Sequence, residues 1–396
     1  MASKAEYRGD ISHITAVSAG VPARLIERAE AEKSQFVAAW DDLAANASEP
    51  NPFYESWYLL PSLREFGADA QIFTAFDGAR LIGLMPLSHL SRYGRWPVPH
   101  AQNWLHPNIF LGTPLVRAGY ETMFWEAIFA EMDQRPGNAL FLHINGMASG
   151  GKLSAALDAT AANQSRHFAK VSEEERAFLQ SDLSPAAYYE DAMRSKKRKE
   201  LRRQKRRLGE MGNLAISRSD GNVGLGSWIN EFLTLEQRGW KGQQGSALAC
   251  AQETQRLFHD ALSGAADRGR LELLDMRLDG KPLAMLANFI CPPGSFSFKT
   301  AFDEEFSRFS PGVLLQIENL ALLERSGVEW CDSCAAEGHP MIDSIWTGRR
   351  QVGRYSIAIG GAGRRALFGA YLGAEMARAR GREKHRAIDQ DMGERK

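Results

Sequence analysis

The amino-acid sequence predicts an α+β (α/β) fold that is built from two similar halves. Each half contains two apolar runs joined by an Asp-Gly turn, at Asp77-Gly78 and at Asp279-Gly280, and this pairing is a strong signal for a β-hairpin. A helical pattern and a short apolar strand follow each hairpin. The 396 residues, of which 44% are hydrophobic, are enough for two domains with cores of their own.

The first half begins with an amphipathic helix from Ala31 to Ala45, which ends at a Pro-Asn-Pro break. A second short helix runs through Trp57 and Leu63. The later elements are the strands Gln71–Phe76 and Leu81–Leu90, a loop with a short strand around Ile109–Leu111, a helix over Tyr120–Met132 and a buried strand over Ala139–Ile144.

The second half repeats this order. Its predicted elements are the strands Arg270–Leu278, Pro282–Ile290 and Ser295–Phe302, a helix from Pro311 to about Arg325, and a strand over Val328–Asp332. Because hairpin, helix and strand correspond in the two halves, we interpret them as one unit used twice.

These patterns divide the chain into five parts. Residues 1–30 form a tail or an edge strand, 31–150 the first domain, 151–182 a linker and connecting segment, 183–355 the second domain, and 356–396 a C-terminal helix with a charged tail. The alternation of apolar residues with arginine in that last helix suits either a cap on the fold or an amphipathic helix on a membrane surface.

Charge and composition exclude several classes of protein. Lys+Arg 48 and Asp+Glu 48 balance, so no global field attracts nucleic acid or lipid. The N-terminus lacks an apolar signal region and no uncharged apolar run reaches the roughly 20 residues that span a bilayer. Four cysteines in such a chain do not form a disulfide framework. We expect a cytoplasmic protein, either free or peripheral on the inner face of the membrane.

A basic run, RSKKRKELRRQKRR, extends from Arg194 to Arg207. Leu201 and Leu208 recur at helical spacing, so the run predicts a helix with a narrow apolar seam. It is either a solvated face or a site for CoA, a carrier-protein phosphopantetheine arm or anionic lipid. Nucleic acid is disfavoured because no aromatic residue interrupts the run. The predicted anion patch consists of Lys196, Lys197, Arg198, Arg202 and Arg203.

A second anion site is predicted at the helix start Ser310-Pro311-Gly312. Ser310 can cap the helix, Pro311 fits its first turn, and Gly312 allows a ligand to approach the backbone. Free amides at a helix start bind phosphate. Arg308 is a charge partner nearby, while Val313 and Leu314 begin the apolar face. A capped helix without a ligand is the alternative.

Three motifs in this order carry a resemblance to a known family: SKKRKELRR at Ser195–Arg203, LEQRGWKG at Leu235–Gly242, and FKTAFDEEFSRFSPG at Phe298–Gly312. Together they resemble the CelD/BcsL group, the cellulose-biosynthesis-associated branch of the GNAT acetyltransferase superfamily. The resemblance implies two tandem GNAT-like domains, each a mixed, mostly antiparallel sheet flanked by helices. It also implies an acyl-CoA co-substrate at Ser310–Leu314. Gly112-Thr113-Pro114 fits less well, so we expect one donor site.

The segment from Cys331 to Arg350 is similar to a proteobacterial subgroup of these acyltransferases. Bacterial ceramide synthases belong to GNAT-like enzymes of this broad type, so the resemblance permits a long-chain, sphingoid-like amine as acceptor. The implied activity is transfer of an acyl group from acyl-CoA, or from an acyl carrier protein, directly to an amine.

Direct N-acyl transfer needs a base, a polarised carbonyl and a proton for the leaving thiolate. Lys299 and Asp303 lie at the end of the third strand of the second half, where a base is useful, and a surface ion-pair cluster with Glu304 is the alternative. Glu236 and His339 are further candidates for acid or base. The predicted substrate contacts are Trp240, Lys241 and, within a loop rich in Pro, Trp and His, Trp104.

No metal site is expected. Cys331 and Cys334 form a single C-x-x-C without the further ligands that zinc needs, and His106 is one of three scattered histidines in a loop. Two rivals stay open beside the acyltransferase. One is a Fem-like, tRNA-dependent aminoacyl transferase, in which the basic helix holds RNA, and the other is a non-catalytic GNAT scaffold in polysaccharide assembly.

Overall fold

The computed structural model describes residues 21–375, and residues 1–20 and 376–396 lie outside it. Thirteen strands form one sheet. They are β1 (Ala23–Ile26), β2 (Gln71–Asp77), β3 (Arg80–Leu90), β4 (His100–Asn103), β5 (Leu115–Val116), β6 (Phe141–Ala148), β7 (Phe168–Leu179), β8 (Leu214–Ser219), β9 (Leu271–Leu278), β10 (Lys281–Cys291), β11 (Gly294–Phe302), β12 (Trp330–Asp332) and β13 (Gly348–Ala358).

Helices cover both faces of the sheet. They are α1 (Arg28–Ala31), α2 (Ser34–Ala45), α3 (Ser56–Phe66), α4 (Glu121–Gln134), α5 (Lys152–Asn163), α6 (Pro185–Ala192), α7 (Ser195–Met211), α8 (Leu225–Arg238), α9 (Trp240–Gln243), α10 (Gln252–Ala266), α11 (Pro311–Glu318) and, at the end of the described chain, α12 (362–375). Short 3-10 helices occupy Pro52–Tyr54, Leu248–Cys250, Glu304–Phe309 and Asn319–Glu324.

The strand order shows two equivalent halves. It runs β1-β2-β3-β4-β6-β13-β7-β12-β11-β10-β9-β8, and β5 pairs with β3 off this path. Each half has an edge strand, an antiparallel meander and one parallel pair, which is β4–β6 in the first half and β11–β12 in the second. The predicted fold class is therefore confirmed: a mixed, mostly antiparallel sheet flanked by helices.

The two halves exchange their last strands. β7 follows the first half in the chain but pairs with β12 of the second, while β13 follows the second half but pairs with β6 of the first. β7 and β13 also pair with each other through most of their length. The segment 151–182, which the sequence analysis assigns to a linker, thus contains helix α5 and a central strand of the sheet.

Most predicted elements occur where the sequence patterns put them. Both Asp-Gly hairpins form, and the basic run becomes the helix α7. Three details differ. Ile109–Leu111 is not a strand, the strand predicted over Ala139–Ile144 occupies Phe141–Ala148, and the predicted helix 311–325 tightens into a 3-10 helix after Glu318.

An aromatic cluster joins the loop after α2 to the second half of the sheet. Phe53, in the first half, contacts the rings of Phe110, Phe296 and Phe298 at centroid distances of 5.6, 6.0 and 6.1 Å. Phe289 stacks on Phe298 at 4.5 Å. Because these rings come from both halves, one continuous apolar layer fixes the first half against β11.

A buried ion-pair network ties the exchanged strands together. Asp332 on β12 is fully buried and accepts from Arg176 Nη2 on β7 at 2.6 Å and from Arg350 Nη1 on β13 at 2.9 Å. It also accepts from the backbone N–H of Cys334 at 2.9 Å. The two guanidinium groups hold the pKa of Asp332 below its usual value although burial acts to raise it.

The C-terminal helix α12 lies on the first half. Phe368 and Leu372 pack with Phe141 and Ala358, which corresponds to a cap on the fold rather than a free amphipathic face. The remainder of the predicted tail, from residue 376 onward, lies outside the described residues. Within residues 21–375, no helix combines the length and the apolar character that crossing a membrane requires.

Replacing Asp332 with Asn tests the network between the exchanged strands. The amide cannot neutralise two buried guanidinium groups, so Asp332→Asn should lower the free energy of unfolding by about 3–5 kcal/mol at pH 7. Denaturant unfolding measures this loss. The matched control is Glu200→Gln, the same chemical change in the exposed pair with Arg203, which should have little effect. Equal effects of the two variants would contradict this role of Asp332.

Candidate functional site

The parallel strands β11 and β12 separate after a short stretch of pairing. They pair only from Gly294 with Trp330 to Phe296 with Asp332. β11 then continues to Phe302, while β12 ends and the chain turns away at Cys334. The two strands therefore leave a gap in the pairing of the sheet beside residues 297–302 of β11.

A β-bulge in β11 controls which side chains face each side of this gap. Lys299 pairs with Ala287 and Ser297 with Asn288, so Phe298 is the additional residue. The bulge lets Phe298 and Lys299 lie on the same face, toward the first half, whereas Thr300 faces α11 and hydrogen-bonds with Gln316. Bulges of this kind redirect side chains next to active sites.

Lys299 lies at the contact between the two halves. Its Nζ donates to Asn108 Oδ1 at 2.8 Å and lies over the ring of Phe110, 4.9 Å from the centroid. Burial, together with the charge of Lys241, lowers the pKa of Lys299 to about 8, and Glu236 opposes that shift. A lysine in this range exists partly as the neutral amine near neutral pH, which makes it able to accept a proton.

Glu236 and Lys241 form a pair next to Lys299. Glu236, at the end of α8, is buried and accepts from Lys241 Nζ at 2.7 Å and from Leu248 N–H at 2.8 Å. Three of the predicted residues, Glu236, Lys241 and Lys299, are thus brought together. Since both oxygens of Glu236 are engaged, its role in the resting site is to hold Lys241 and the following loop.

The helix start at α11 lies on the opposite face of the sheet. Pro311 occupies the first turn as predicted, but the side chain of Ser310 makes no capping hydrogen bond because its backbone is left-handed, with φ of 54°. Among the described residues, the amides of Gly312 and Val313 have no hydrogen-bond acceptor, whereas Leu314 N–H donates to Ser310 O. These two amides are available to an anion.

Gly312 is tightly packed. A Cβ at this position would lie 3.0 Å from Phe302 Cδ1 and 3.1 Å from Met341 Sδ. The glycine is therefore required by the close approach of the helix to β11 and to the turn after β12, in addition to any contact with a ligand. Arg308 is exposed and stacks on Phe309 at 4.7 Å.

Asp303 and Glu304 act within the loop that precedes α11. Asp303 caps the 3-10 helix by accepting from Glu305 N–H at 3.0 Å, and Glu304 accepts from the backbone N–H of Trp240 at 2.6 Å. The side chain of Trp240 is 48% exposed. The hydrogen bond from Trp240 N–H to Glu304 joins the start of α9 to the loop before α11. The indole of Trp240 stays accessible at the mouth of the site.

His339 lies apart from the lysine cluster. It belongs to the turn after β12, whose Met341 touches Gly312. Its Nδ1 is buried and has no hydrogen-bond partner within residues 21–375, and its carbonyl accepts from Asp343 N–H. The structure thus places His339 near the start of α11 rather than beside Lys299.

The basic helix α7 packs next to the loop before α11. Gln204 donates to Arg308 O at 3.1 Å and Lys205 pairs with Glu318 at 2.6 Å. Of the predicted patch, Arg198 is held by the carbonyls of the preceding turn and Arg203 by Glu200. The others, Lys196, Lys197 and Arg202, are exposed and have no hydrogen-bond or ion-pair partner in the described part of the chain.

A cavity of about 390 Å³ lies between the two halves, on the face that Lys299 occupies. Its walls come from the loop of the first half, including His106 and Phe110, from Arg176 and Arg354 on the exchanged strands, and from the turn at Cys334. Trp104, predicted as a substrate contact, is buried behind His106 at a centroid distance of 5.4 Å. His106 forms that part of the wall instead.

The described residues contain no group of His, Cys, Asp and Glu that could hold a metal ion. All four cysteines are free. Burial raises the pKa of the Cys334 thiol well above its usual value, which keeps it protonated and unreactive at neutral pH.

Comparison with known proteins agrees with this geometry. Residues 195–339 match the model of the acetyltransferase (GNAT) domain family. This segment includes α7, the β11–β12 gap and the start of α11. At this general level the match supports an N-acyltransferase. No curated protein matches the sequence.

Two solved structures show the same fold over most of the chain, and a third is similar at a lower TM-score. The crystal structure of FemX is 11% identical, with a TM-score of 0.52 over 84% of this chain and 96% of that one. A conserved protein of unknown function from Bacteroides thetaiotaomicron is 12% identical, with a TM-score of 0.51 over 86% and 99%. A tandem GNAT protein from the clavulanic acid biosynthesis pathway is 16% identical, with a TM-score of 0.43 over 86% and 99%.

Sequence reasoning missed the contribution of the first half to the site. Asn108 binds Lys299 from a loop 191 residues earlier in the chain, and His106 and Arg176 line the cavity. No local pattern marks Asn108 or Arg176. His106 lies in a loop rich in Pro, Trp and His, and this composition indicates the wall of a substrate cavity. The residues opposite His106 in the cavity are brought there only by the exchange of strands.

Replacing Lys299 with Met tests the environment of this lysine. Lys299 has a pKa of about 8 in the folded chain against 10.5 as its ordinary value, so burial of the charged form costs stability below pH 8. Between pH 8 and pH 10.5, Lys299 loses its proton in the folded chain but keeps it in the unfolded chain. The cost therefore shrinks over this range and disappears near pH 10.5. Lys299→Met should therefore be more stable than the wild type at pH 7, by a margin that shrinks above pH 8. Unfolding curves that keep a constant separation from pH 7 to 10 would contradict the lowered pKa.

Proposed function

We propose that the protein is an N-acyltransferase that transfers an acyl group from acyl-CoA, or from an acyl carrier protein, directly to an amine. The observation that carries this proposal is the gap between β11 and β12, with α11 on one face and Lys299 on the other. The phosphates of the donor bind at Ser310–Leu314, and the pantetheine arm passes through the gap. The thioester then lies next to Lys299 and the cavity between the halves.

The lysine cluster supports amine chemistry at this position. Attack on a thioester needs the free amine, and the positive charges of Lys299 and Lys241 disfavour a second cation nearby. They lower the pKa of a bound ammonium group, while the neutral form of Lys299 accepts the proton that the nucleophile loses. Roughly a tenth of Lys299 is neutral at pH 7 for a pKa of about 8.

The basic helix supports a phosphate-bearing donor. Lys196, Lys197 and Arg202 are exposed on α7, which contacts the loop before α11. Side chains of this type pair with the phosphates of CoA or of a phosphopantetheine arm. Arg308, exposed in that loop, adds a further charge at the same edge.

The apolar lining of the cavity supports an acceptor with a hydrocarbon part. Leu105, Ile109, Phe110 and Leu111 form much of the wall on the side of the first half. Such surfaces suit an apolar ligand, and a long-chain, sphingoid-like amine has both the nucleophile and the chain. The similarity in fold to FemX keeps a Fem-like aminoacyl transferase as the alternative, in which α7 would bind tRNA.

A carboxylate at position 310 tests the donor site. Ser310 has a left-handed backbone that Asp and Asn tolerate, so Ser310→Asp should fold normally while its charge opposes the phosphates. Calorimetric titration with acetyl-CoA and palmitoyl-CoA should show binding to the wild type and at least tenfold weaker binding to Ser310→Asp. The matched control is Ser310→Asn, which has the same shape without the charge and should retain most of the affinity.

The same titration decides between the proposal and its alternative. Stronger binding of palmitoyl-CoA than of acetyl-CoA would favour a long acyl group. Equal affinities for Ser310→Asp and Ser310→Asn would contradict the site at α11. No binding of either thioester, combined with salt-sensitive binding of tRNA, would favour the aminoacyl transferase.

A further inference from the structure

His106 is a buried histidine with one ring nitrogen in use. Its side chain stacks on Phe66 at a centroid distance of 4.7 Å, and only 9% of the residue is exposed. The backbone N–H of Asn108 donates to its Nδ1 at 3.3 Å. Burial and the charge of Lys299 lower the pKa of His106 to about 3, so the ring is neutral. A neutral ring that accepts at Nδ1 carries its proton at Nε2.

This Nε2–H group has no hydrogen-bond partner among residues 21–375. Leaving such a buried donor unpaired costs free energy, because the group has lost its hydrogen bond to water without gaining another. His106 also lines the cavity of about 390 Å³ between the halves. The fold therefore maintains an unpaired donor on a residue that lines the cavity proposed for the acceptor.

A second unpaired donor lines the same cavity from the opposite half of the sheet. Arg176 is 8% exposed, and its two terminal nitrogens donate to Asp332 and to the carbonyl of Phe110. Its Nε has no partner in the described part of the chain. Because the other two contacts fix the guanidinium plane, Arg176 cannot turn to satisfy Nε elsewhere.

Asn108 connects the histidine to the reacting centre. Its backbone N–H orients His106, its side-chain oxygen accepts from Lys299, and its carbonyl accepts from Tyr58 Oη at 2.5 Å. A group bound at His106 is therefore held at a fixed position relative to Lys299. This arrangement suits a ligand that carries both an oxygen and an amine.

We propose that His106 is a specificity-determining residue that recognises an oxygen next to the reacting amine of the acceptor. The cavity then selects amines with a neighbouring hydroxyl or carbonyl group over plain alkylamines. This inference rests on the proposed function, because that function identifies the amine as the nucleophile. Recognition of the oxygen is a binding property, and it does not require that acyl transfer takes place.

A matched pair of probes tests this recognition. 2-Aminododecan-1-ol and dodecylamine both carry a primary amine on an apolar chain and differ in the hydroxyl beside the amine. Calorimetric titration of the full chain without thioester should show the amino alcohol binding about five- to tenfold more tightly, as expected of one added hydrogen bond. In His106→Phe, which keeps the ring that stacks on Phe66, the two affinities should become equal.

The conservative variant separates recognition from a structural role. Gln at position 106 retains an N–H donor, so His106→Gln should keep part of the preference for the hydroxyl. Equal affinity of the two probes for the wild type, no binding of either probe, or an unchanged preference in His106→Phe would each overturn the proposal. If the proposed donor site is wrong, CoA does not bind in a titration without amine. This result is separate from the titration with amines, so a failure of the proposed function is distinguishable from a failure of the proposal for His106.

Discussion

The architecture depends on the exchange of β7 and β13 between the two halves. Each strand completes the half to which it does not belong in the chain, and the pair forms the centre of the sheet. Three strands at this centre each contribute one charged side chain: Asp332 on β12, Arg176 on β7 and Arg350 on β13. Since an unpaired charge there is costly, β12 is held against its neighbour β7 and is tied through Asp332 to β13 on the far side of β7. The end of β12, and with it the gap beside β11, is thereby fixed.

The gap becomes a site because the bulge in β11 redirects one lysine. With regular alternation, Lys299 would face α11; the additional residue Phe298 instead turns it toward the first half. In the proposed mechanism, the donor and the acceptor bind on opposite faces of the sheet and meet at the gap. In the first half, Gly112-Thr113-Pro114 leads into the short strand β5, and the corresponding helix α4 begins only at Glu121. It supplies the wall of the cavity through His106 and Asn108.

Local signals in the sequence were sufficient for the hairpins, for α7 and for the start of α11, because Asp-Gly turns, helical spacing and Pro at the first turn act within a few residues. The exchange of strands was not predictable in this way. β7 appeared as a connecting segment because its outward residues, such as Glu173 and Glu175, are charged. Likewise, the link from Asn108 to Lys299 joins segments that only the tertiary fold brings together.

Hydrogen–deuterium exchange with and without CoA tests the central claim most directly, since it locates the donor on the sheet. We expect slower exchange at residues 297–302 of β11 and at Gly312 and Val313, whose amides face the proposed phosphates. We expect little change at β4 and at the start of α4, which correspond to β11 and α11 in the first half. Protection confined to the first half, or none at α11 under saturating CoA, would contradict the assignment of the donor site.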